Sequence, residues 1–167
     1  MDNWVDYFII NEFAMNYDAG NLSTYLYKEL GGKLQLAIWD FNNGFDNYQW
    51  FRTETDVLHT VENSWFKRLW QDETFREHVC ERYRQLRKTT LADEHIAEKI
   101  ASYQEELGDA VDRNFKVWGY SFDEALLAGT SKDGTSRDIR SYEEAMKQLT
   151  DTIRERLAYL DKELGGN

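Results

Sequence analysis

The pair Gly31-Gly32 constrains the fold of this chain more than any other feature of its sequence. It stands between residues 23–30 (STYLYKEL) and residues 33–40 (KLQLAIWD), two runs of strand-like composition. Because glycine adopts positive φ without steric cost, Gly-Gly between two such runs is typical of a tight β-hairpin. The sequence therefore predicts two antiparallel strands over these runs, with their tyrosines and leucines packed inward.

A symmetric reversal at the two glycines sets which residues face each other across the hairpin. It places Tyr27 opposite Leu36 and, at the open end, Ser23 opposite Asp40. Opposed residues in an antiparallel pair lie about 4.5–5.5 Å apart at Cβ. Asp18 lies in the loop that enters the first strand, so the turn brings two carboxylates towards one place. Such a pair is typical of a metal site, or of a base beside a metal.

The remainder of the chain carries the apolar spacing of helices. The helical segments that this spacing predicts are residues 2–16, 64–70, 74–87, 93–118 and 141–164. We expect Thr74 to cap the third segment and Thr90 or Asp93 to begin the fourth, which runs to Trp118. Residues 40–56 and 129–137 lack a sustained period, which indicates loops. The predicted fold class is α+β and mostly helical, with one hairpin near the N-terminus and a helical bundle after it.

The last predicted helix has a recognisable beginning and end. Ser141 followed by Glu144 forms a capping box, and Gly165-Gly166 is a typical helix stop.

Glu12 and Asn16 fall on the apolar face of the first predicted helix, beside Phe8 and Phe13. A polar group on a core face costs about 1–3 kcal/mol unless it is hydrogen-bonded. Two explanations are open for Glu12. Either nearby backbone groups satisfy its carboxylate, or it orients the loop that follows the helix.

Length and charge limit the class of protein. The chain has 167 residues, which suits one domain over residues 1–167, and its net charge is −11. So acidic a chain disfavours nucleic acid or an anionic membrane as partner, and no apolar run approaches the ~20 residues of a membrane span. There is no HExxH or CxxC motif, and the single Cys80 is expected to be an inert thiol.

Several motifs in the first third of the chain occur in a distinctive order. They are NE at 11–12, NYD at 16–18, YLYK at 25–28, GGKL at 31–34 and WDFN at 39–42. This combination resembles the CotH kinase family, the spore-coat-type atypical protein kinases. Residues 64–87 and 154–164 also resemble the helical region of that family. The resemblance implies the C-terminal lobe of a protein-kinase-like fold.

By the same resemblance, Asp18 is the catalytic aspartate and Asp40 the metal-binding aspartate of a protein kinase. The implied reaction transfers the γ-phosphate of Mg²⁺-bound ATP to Ser or Thr of a protein substrate. The further site residues that the resemblance implies are Asn21 and Ser23 for the cofactor, Asn42 for the metal, and Glu12 and Asn16 in support. The resemblance suggests a bacterial spore coat or cell surface as the setting, and the compartment stays open.

This sequence departs from the kinase pattern at two metal positions. Protein kinases place an asparagine five residues after the catalytic aspartate, where this chain has Ser23, with Asn21 as the nearest asparagine. The second aspartate of the family's W-D-F-D motif is Asn42 here, and Asp46 is a candidate to compensate. Either change is expected to weaken metal binding.

The sequence contains no Gly-rich phosphate loop, and it has no lysine on a strand that precedes the site. We therefore expect a nucleotide-binding lobe of the same polypeptide to precede this region, and these residues alone to be inactive. Two alternatives stay open. One is a degenerate, non-catalytic binding or scaffold module, and the other is a carboxylate-metal hydrolase.

Overall fold

The computed structural model describes residues 1–47, 52–118, 139 and 141–166. The described part is mostly helical with one two-stranded antiparallel sheet, which confirms the predicted α+β class. In chain order its elements are α1 (Asp2–Ala14), β1 (Tyr25–Tyr27), β2 (Gln35–Ala37), a 3₁₀ helix (Thr60–Glu62), α2 (Ser64–Leu69), α3 (Glu73–Arg87), α4 (Asp93–Leu107), α5 (Ala110–Trp118) and α6 (Tyr142–Leu164).

Helix α1 lies at the centre of the core and contacts α3, α6 and β2. Val5, Phe8, Ile9 and Phe13, which the spacing places on one face, are all buried, and Tyr7, Asn11 and Ala14 are buried on another side of the helix. The helix ends at Met15, whose positive φ of 53° turns the chain and lets its N–H bond back to the last turn. This reversal delivers the chain directly into the loop that carries Asp18.

Aromatic rings join α1 to α2 and α3. The Phe8 ring stacks on Trp70 with centroids 5.1 Å apart and meets Phe75 edge-on at 5.9 Å. Tyr7 stacks on Phe66 at 5.6 Å. Such contacts add about 0.5–1.5 kcal/mol each beyond the area they bury. They fix the first turn of α2 against the end of the molecule that carries the hairpin.

The predicted hairpin is present, but its strands are shorter and its register differs by one residue. Tyr25 pairs with Ala37, and Tyr27 pairs with Gln35 rather than with Leu36. The turn also lies earlier than predicted, because the Gly32 N–H bonds to the Glu29 carbonyl at 2.9 Å. The tight turn therefore spans residues 29–32, with the positive φ at Gly31, instead of being centred between the two glycines.

The prediction that the hairpin's tyrosines and leucines pack inward is wrong for both tyrosines and for every leucine except Leu36. Tyr25 is 54% exposed and Tyr27 is 46% exposed, whereas Leu36 of β2 is buried. Asn3 of α1 fixes this orientation, since its Nδ2 donates to the Leu36 carbonyl and its Oδ1 accepts the Leu36 N–H. The hairpin therefore rests on α1 through β2, and β1 faces outward.

Two of the predicted helix boundaries need correction. Asp72, not Thr74, caps α3, because its carboxylate accepts the Phe75 N–H at 3.0 Å. The single helix predicted to run to Trp118 is divided into α4 and α5 at Gly108, where φ is 43°. Few residues other than glycine adopt that conformation.

Helix α6 begins and ends as predicted. The Ser141 hydroxyl accepts the Glu144 N–H at 3.0 Å, and Gly165 follows the last turn. The predicted loop at residues 129–137 lies outside the described residues. Within the described ranges, no helix has both the length and the apolar character that crossing a bilayer requires.

Candidate functional site

The open end of the hairpin joins Ser23 to Asp40. The Ser23 hydroxyl donates to Oδ2 of Asp40 at 3.1 Å, so the predicted meeting of these two side chains is present despite the change of register. Asp40 is exposed and Ser23 is partly buried. Ser23 is the hydrogen-bond partner of Asp40 among the described residues, and the second carboxylate oxygen faces no described partner.

The loop that carries Asp18 is a compact turn. The N–H groups of Asn21 and Leu22 both donate to the Asp18 carbonyl, at 3.0 and 2.7 Å. The Gly20 N–H donates to the Thr24 hydroxyl at 2.9 Å, and that hydroxyl donates in turn to the Leu22 carbonyl. The backbone of residues 18–24 is therefore held by its own hydrogen bonds.

The Asp18 carboxylate is partly buried and has no partner among the described residues. None of them donates a hydrogen bond to it or forms an ion pair with it. It also makes no direct contact of that kind with Ser23 or Asp40, so the turn between residues 18 and 23 is what connects the two parts of the site. A partly buried carboxylate without an internal partner keeps its acceptor capacity for a ligand.

Strained backbone is concentrated around these residues. The described non-glycine residues with positive φ are Met15, Ser23, Asp40, Phe45 and Asp46. Each such conformation costs about 1–3 kcal/mol and persists only where the surrounding structure holds it. Since Ser23 and Asp40 both adopt it and bond to each other, the open end of the hairpin is a candidate functional site on backbone geometry alone.

The loop after Asp40 supplies the remaining predicted metal residues. Asn42 is exposed, and its carbonyl accepts a hydrogen bond from Asn47 Nδ2 at 2.8 Å. Asp46 is only 6% exposed, and its Oδ1 accepts the Thr53 N–H at 2.6 Å. Asp46 therefore joins two segments of this loop, and its compensating role as a metal ligand stays a prediction.

Glu12 is fully buried, and three groups donate hydrogen bonds to its carboxylate. It accepts the His59 N–H at 3.0 Å and the Thr60 N–H at 2.6 Å, and it pairs with Arg156 at 2.7 Å. Backbone groups do satisfy Glu12, but they lie 47 and 48 residues further along the chain rather than nearby. The segment it orients is the one before α2, not the loop after α1.

Arg156 completes this buried cluster. Its guanidinium donates to the carbonyls of Glu12, Thr55 and Val57 as well as to the Glu12 carboxylate. Burial lowers the pKa of Arg156, and the Glu12 carboxylate opposes that effect. Burial likewise lowers the pKa of His59, against the raising effect of its bond to the Glu54 carbonyl.

Asn16, the other predicted supporting residue, is also buried. Its Nδ2 donates to Asn11 Oδ1 at 3.0 Å, and Asn11 Nδ2 donates to the Tyr7 carbonyl at 2.7 Å. This chain of amides secures the end of α1, from which the Asp18 loop departs. Asn16 therefore contacts α1 through its Nδ2 group, and its supporting role in the site stays a prediction.

Sequence reasoning missed two residues that hold the site in place, Arg156 and Asn63. Arg156 had a signal, because it interrupts the apolar stripe of α6 next to Leu157 as Glu12 interrupts that of α1. Asn63 had no such signal in the sequence, apart from its position before a predicted helix. Its contacts with residues 17 and 19 join segments that are far apart in sequence.

The residues at the hairpin mouth fit Mg²⁺ bound together with ATP better than an all-protein metal centre. The described residues contain no group of three or more His, Cys, Asp or Glu side chains that could hold a metal ion. Mg²⁺ at nucleotide sites typically takes one or two carboxylates together with phosphates and water. Asp40, with one unengaged oxygen, meets that requirement, whereas a carboxylate-metal hydrolase gains no support here.

The comparison with known protein families agrees with these motifs. Residues 1–160 match the family model described as CotH kinase protein. The chain therefore belongs to the CotH kinase family and is a kinase-related protein. No curated protein and no solved structure matches the chain significantly.

Proposed function

We propose that this chain is the C-terminal, catalytic-loop lobe of a CotH-type protein kinase, which transfers the ATP γ-phosphate to Ser or Thr of a protein substrate. The observation that carries the proposal is the hydrogen bond between Ser23 and Asp40 at the open end of the hairpin, together with an Asp18 carboxylate, in the loop before β1, that has no partner among the described residues. The roles proposed for these two aspartates rest on the resemblance of their motifs to those of protein kinases, and membership of the CotH kinase family supports them.

The proposed roles follow from the chemistry of phosphoryl transfer, which needs positioning and charge neutralisation more than covalent help from the protein. Asp18 orients the attacking hydroxyl and accepts its proton. Asp40 holds Mg²⁺, which when bound neutralises charge on the ATP phosphates. Asn21, Asn42 and Ser23 lie on the two segments that flank these carboxylates.

A nucleotide-binding lobe of the same polypeptide is part of this proposal. The exposed apolar side chains of the hairpin support it, because Leu26, Leu34 and Ile38 are all accessible to a partner. Exposed apolar surface beside a candidate site is typical of an interaction surface. Without such a lobe, these residues are expected to bind ATP weakly.

The test is phosphate transfer from radiolabelled ATP by the polypeptide that includes these residues and the nucleotide-binding lobe. Asp18→Asn and Asp40→Asn are each expected to lower transfer by about 10²–10⁴-fold, since each removes one charge with little change of shape. Asp109→Asn, an exposed aspartate between α4 and α5, is the matched control and keeps transfer unchanged. Full transfer by Asp40→Ala would exclude the proposed mechanism.

The second candidate function is a degenerate member that binds or scaffolds without catalysis. Ser23 favours it, because this residue stands where kinases carry a second metal ligand and its hydroxyl engages Asp40. Calorimetry with Mg²⁺-ATP on the intact protein separates the two functions, since tight binding contradicts the scaffold. Ser23→Asn sharpens the test: asparagine tolerates the φ of 45° at this position. A gain of Mg²⁺-ATP binding in that variant identifies a site weakened by Ser23.

A further inference from the structure

A single asparagine side chain holds the backbone on both sides of Asp18. The Nδ2 group of Asn63 donates to the carbonyl of Tyr17 and to the carbonyl of Ala19, each at 2.9 Å. These two carbonyls belong to the residues immediately before and after Asp18. Because both hydrogen bonds come from one amide, they restrict the peptide units through which the Asp18 side chain is aimed.

Because its side chain makes this contact, Asn63 does not cap helix α2 in the usual way. It is the N-cap residue of α2, yet its side chain makes no capping hydrogen bond. An N-cap side chain ordinarily accepts an N–H from the first helical turn, and losing that bond costs about 0.5–2 kcal/mol. The side chain of Asn63 instead reaches a loop 44 to 46 residues earlier in the chain.

The same loop lies directly on the first turn of α2. A Cβ atom placed on Gly20 would come within 3.1 Å of the Phe66 ring and 3.4 Å of Asn63 Cβ. Phe66 is fully buried among the rings of α1 and α3, so it cannot easily move away. The Asp18 loop is therefore fixed by two hydrogen bonds from Asn63 and by close contact with the Phe66 ring.

We propose that Asn63 is a positioning residue for the reaction, which acts by holding Asp18 in its working orientation. The proposal rests on the proposed function for the role of Asp18, while the clamp itself rests on the two hydrogen bonds. A misplacement of about 1 Å at a catalytic group can cost about 100-fold in rate. Loss of the clamp is therefore expected to lower turnover far more than ATP binding.

Asn63→Ser is the informative variant. Serine is as favourable at an N-cap position as asparagine, so the change does not weaken the start of α2, but its side chain is too short to bridge both carbonyls. Asn3→Ser is the matched control for the loss of two side-chain-to-backbone bonds. It removes the pair that joins α1 to Leu36 and leaves the Asp18 loop alone.

Hydrogen exchange on this chain measures the clamp without any assumption about catalysis. The N–H groups of Asn21 and Leu22, which donate to the Asp18 carbonyl, are expected to exchange at least 10-fold faster in Asn63→Ser. In Asn3→Ser, faster exchange is expected at Leu36 but not at Asn21 or Leu22. Unchanged exchange at Asn21 and Leu22 in Asn63→Ser overturns the clamp.

Steady-state kinetics on the polypeptide with its nucleotide-binding lobe measure the positioning role. Asn63→Ser is expected to lower kcat about 100-fold with the KM for ATP nearly unchanged, while Asn114→Ser on the exposed face of α5 changes neither. Normal kcat in Asn63→Ser, with transfer by the parent protein intact, overturns the positioning role and leaves the proposed function standing. Absence of transfer by the parent protein overturns the proposed function and the positioning role together, and the exchange experiment still decides the clamp.

Discussion

Ser23 and Asp40 illustrate how the candidate site is held at the scale of single residues. Each adopts a left-handed backbone conformation, with φ of 45° and 58°, and each lies just outside a three-residue strand. Strands this short contribute little stability on their own. The hydrogen bond between the two side chains and the contacts of β2 with α1 therefore maintain this geometry.

His59 gives a prediction for pH at the same scale. Burial lowers its pKa below the ordinary value of 6.5, and the groups that face it are Glu12, Glu54 and Arg156. Below that value the unfolded chain binds a proton that the folded chain resists, so the free energy of unfolding falls as the pH drops below 6.5. We expect His59→Gln to reduce this loss of stability.

Urea unfolding at several pH values between about 7.5 and 5.5 measures the effect. The control is His78→Gln, which replaces an exposed histidine of α3. A pH dependence that is the same in His59→Gln as in the parent protein would show that His59 does not cause it.

At the scale of elements, helix ends depend on which polar residue reaches a free N–H. The residue predicted to cap α3 was Thr74. Asp72 takes the role, because it adopts the extended conformation of an N-cap and its carboxylate reaches the Phe75 N–H. Thr74 instead lies within the first turn of the helix.

Replacement of these two residues separates their contributions. We expect Asp72→Ala to lower the free energy of unfolding by about 1 kcal/mol, since it removes the capping bond and a negative charge at the helix N-terminus. Thr74→Ala is expected to change it by less than about 0.5 kcal/mol, because Thr74 is exposed and makes no capping bond. Thermal unfolding of both variants is the measurement, and equal losses would contradict the assignment.

Local patterns predicted the elements better than their relations. The spacing of Val5, Phe8, Ile9 and Phe13 predicted α1, and Ser141 predicted the beginning of α6, because both signals lie within a few residues. The hairpin was predicted from Gly31-Gly32, but its register was not. A turn that moves by one residue changes every pairing, and the packing of Leu36 on Asn3 selects the register.

At the scale of the whole molecule, the pair of Glu12 and Arg156 joins parts of the chain that are 144 residues apart. Both side chains are fully buried, and Arg156 also donates to the carbonyls of Thr55 and Val57. The cluster thereby connects α1, the segment before α2 and α6. It sets where α2 lies, and Asn63 at the beginning of α2 in turn holds the Asp18 loop.

Removing one partner of this pair leaves a buried charge without compensation. We expect Glu12→Ala and Arg156→Ala each to cost about 3–5 kcal/mol in the free energy of unfolding. Lys147→Ala breaks the exposed pair with Asp151 and is expected to cost less than about 1 kcal/mol. Urea unfolding of the three variants tests the difference, and a Glu12→Ala cost no larger than that of Lys147→Ala would contradict it.

The double variant Glu12→Ala/Arg156→Ala completes the cycle. Because the two side chains share hydrogen bonds, its cost is expected to be clearly smaller than the sum of the single losses. Simple additivity would show that each residue acts through its other contacts.

By itself, the sequence determined most of the helical segments and the existence of the hairpin, because each follows from spacing within one short segment. Only the tertiary structure decided the register of the strands, the outward direction of the tyrosines and the partners of Glu12. It alone revealed Asn63 as the residue that holds the Asp18 loop. Those features depend on hydrogen bonds and packing between segments distant in the chain, and such contacts leave no periodic pattern in the residues that make them.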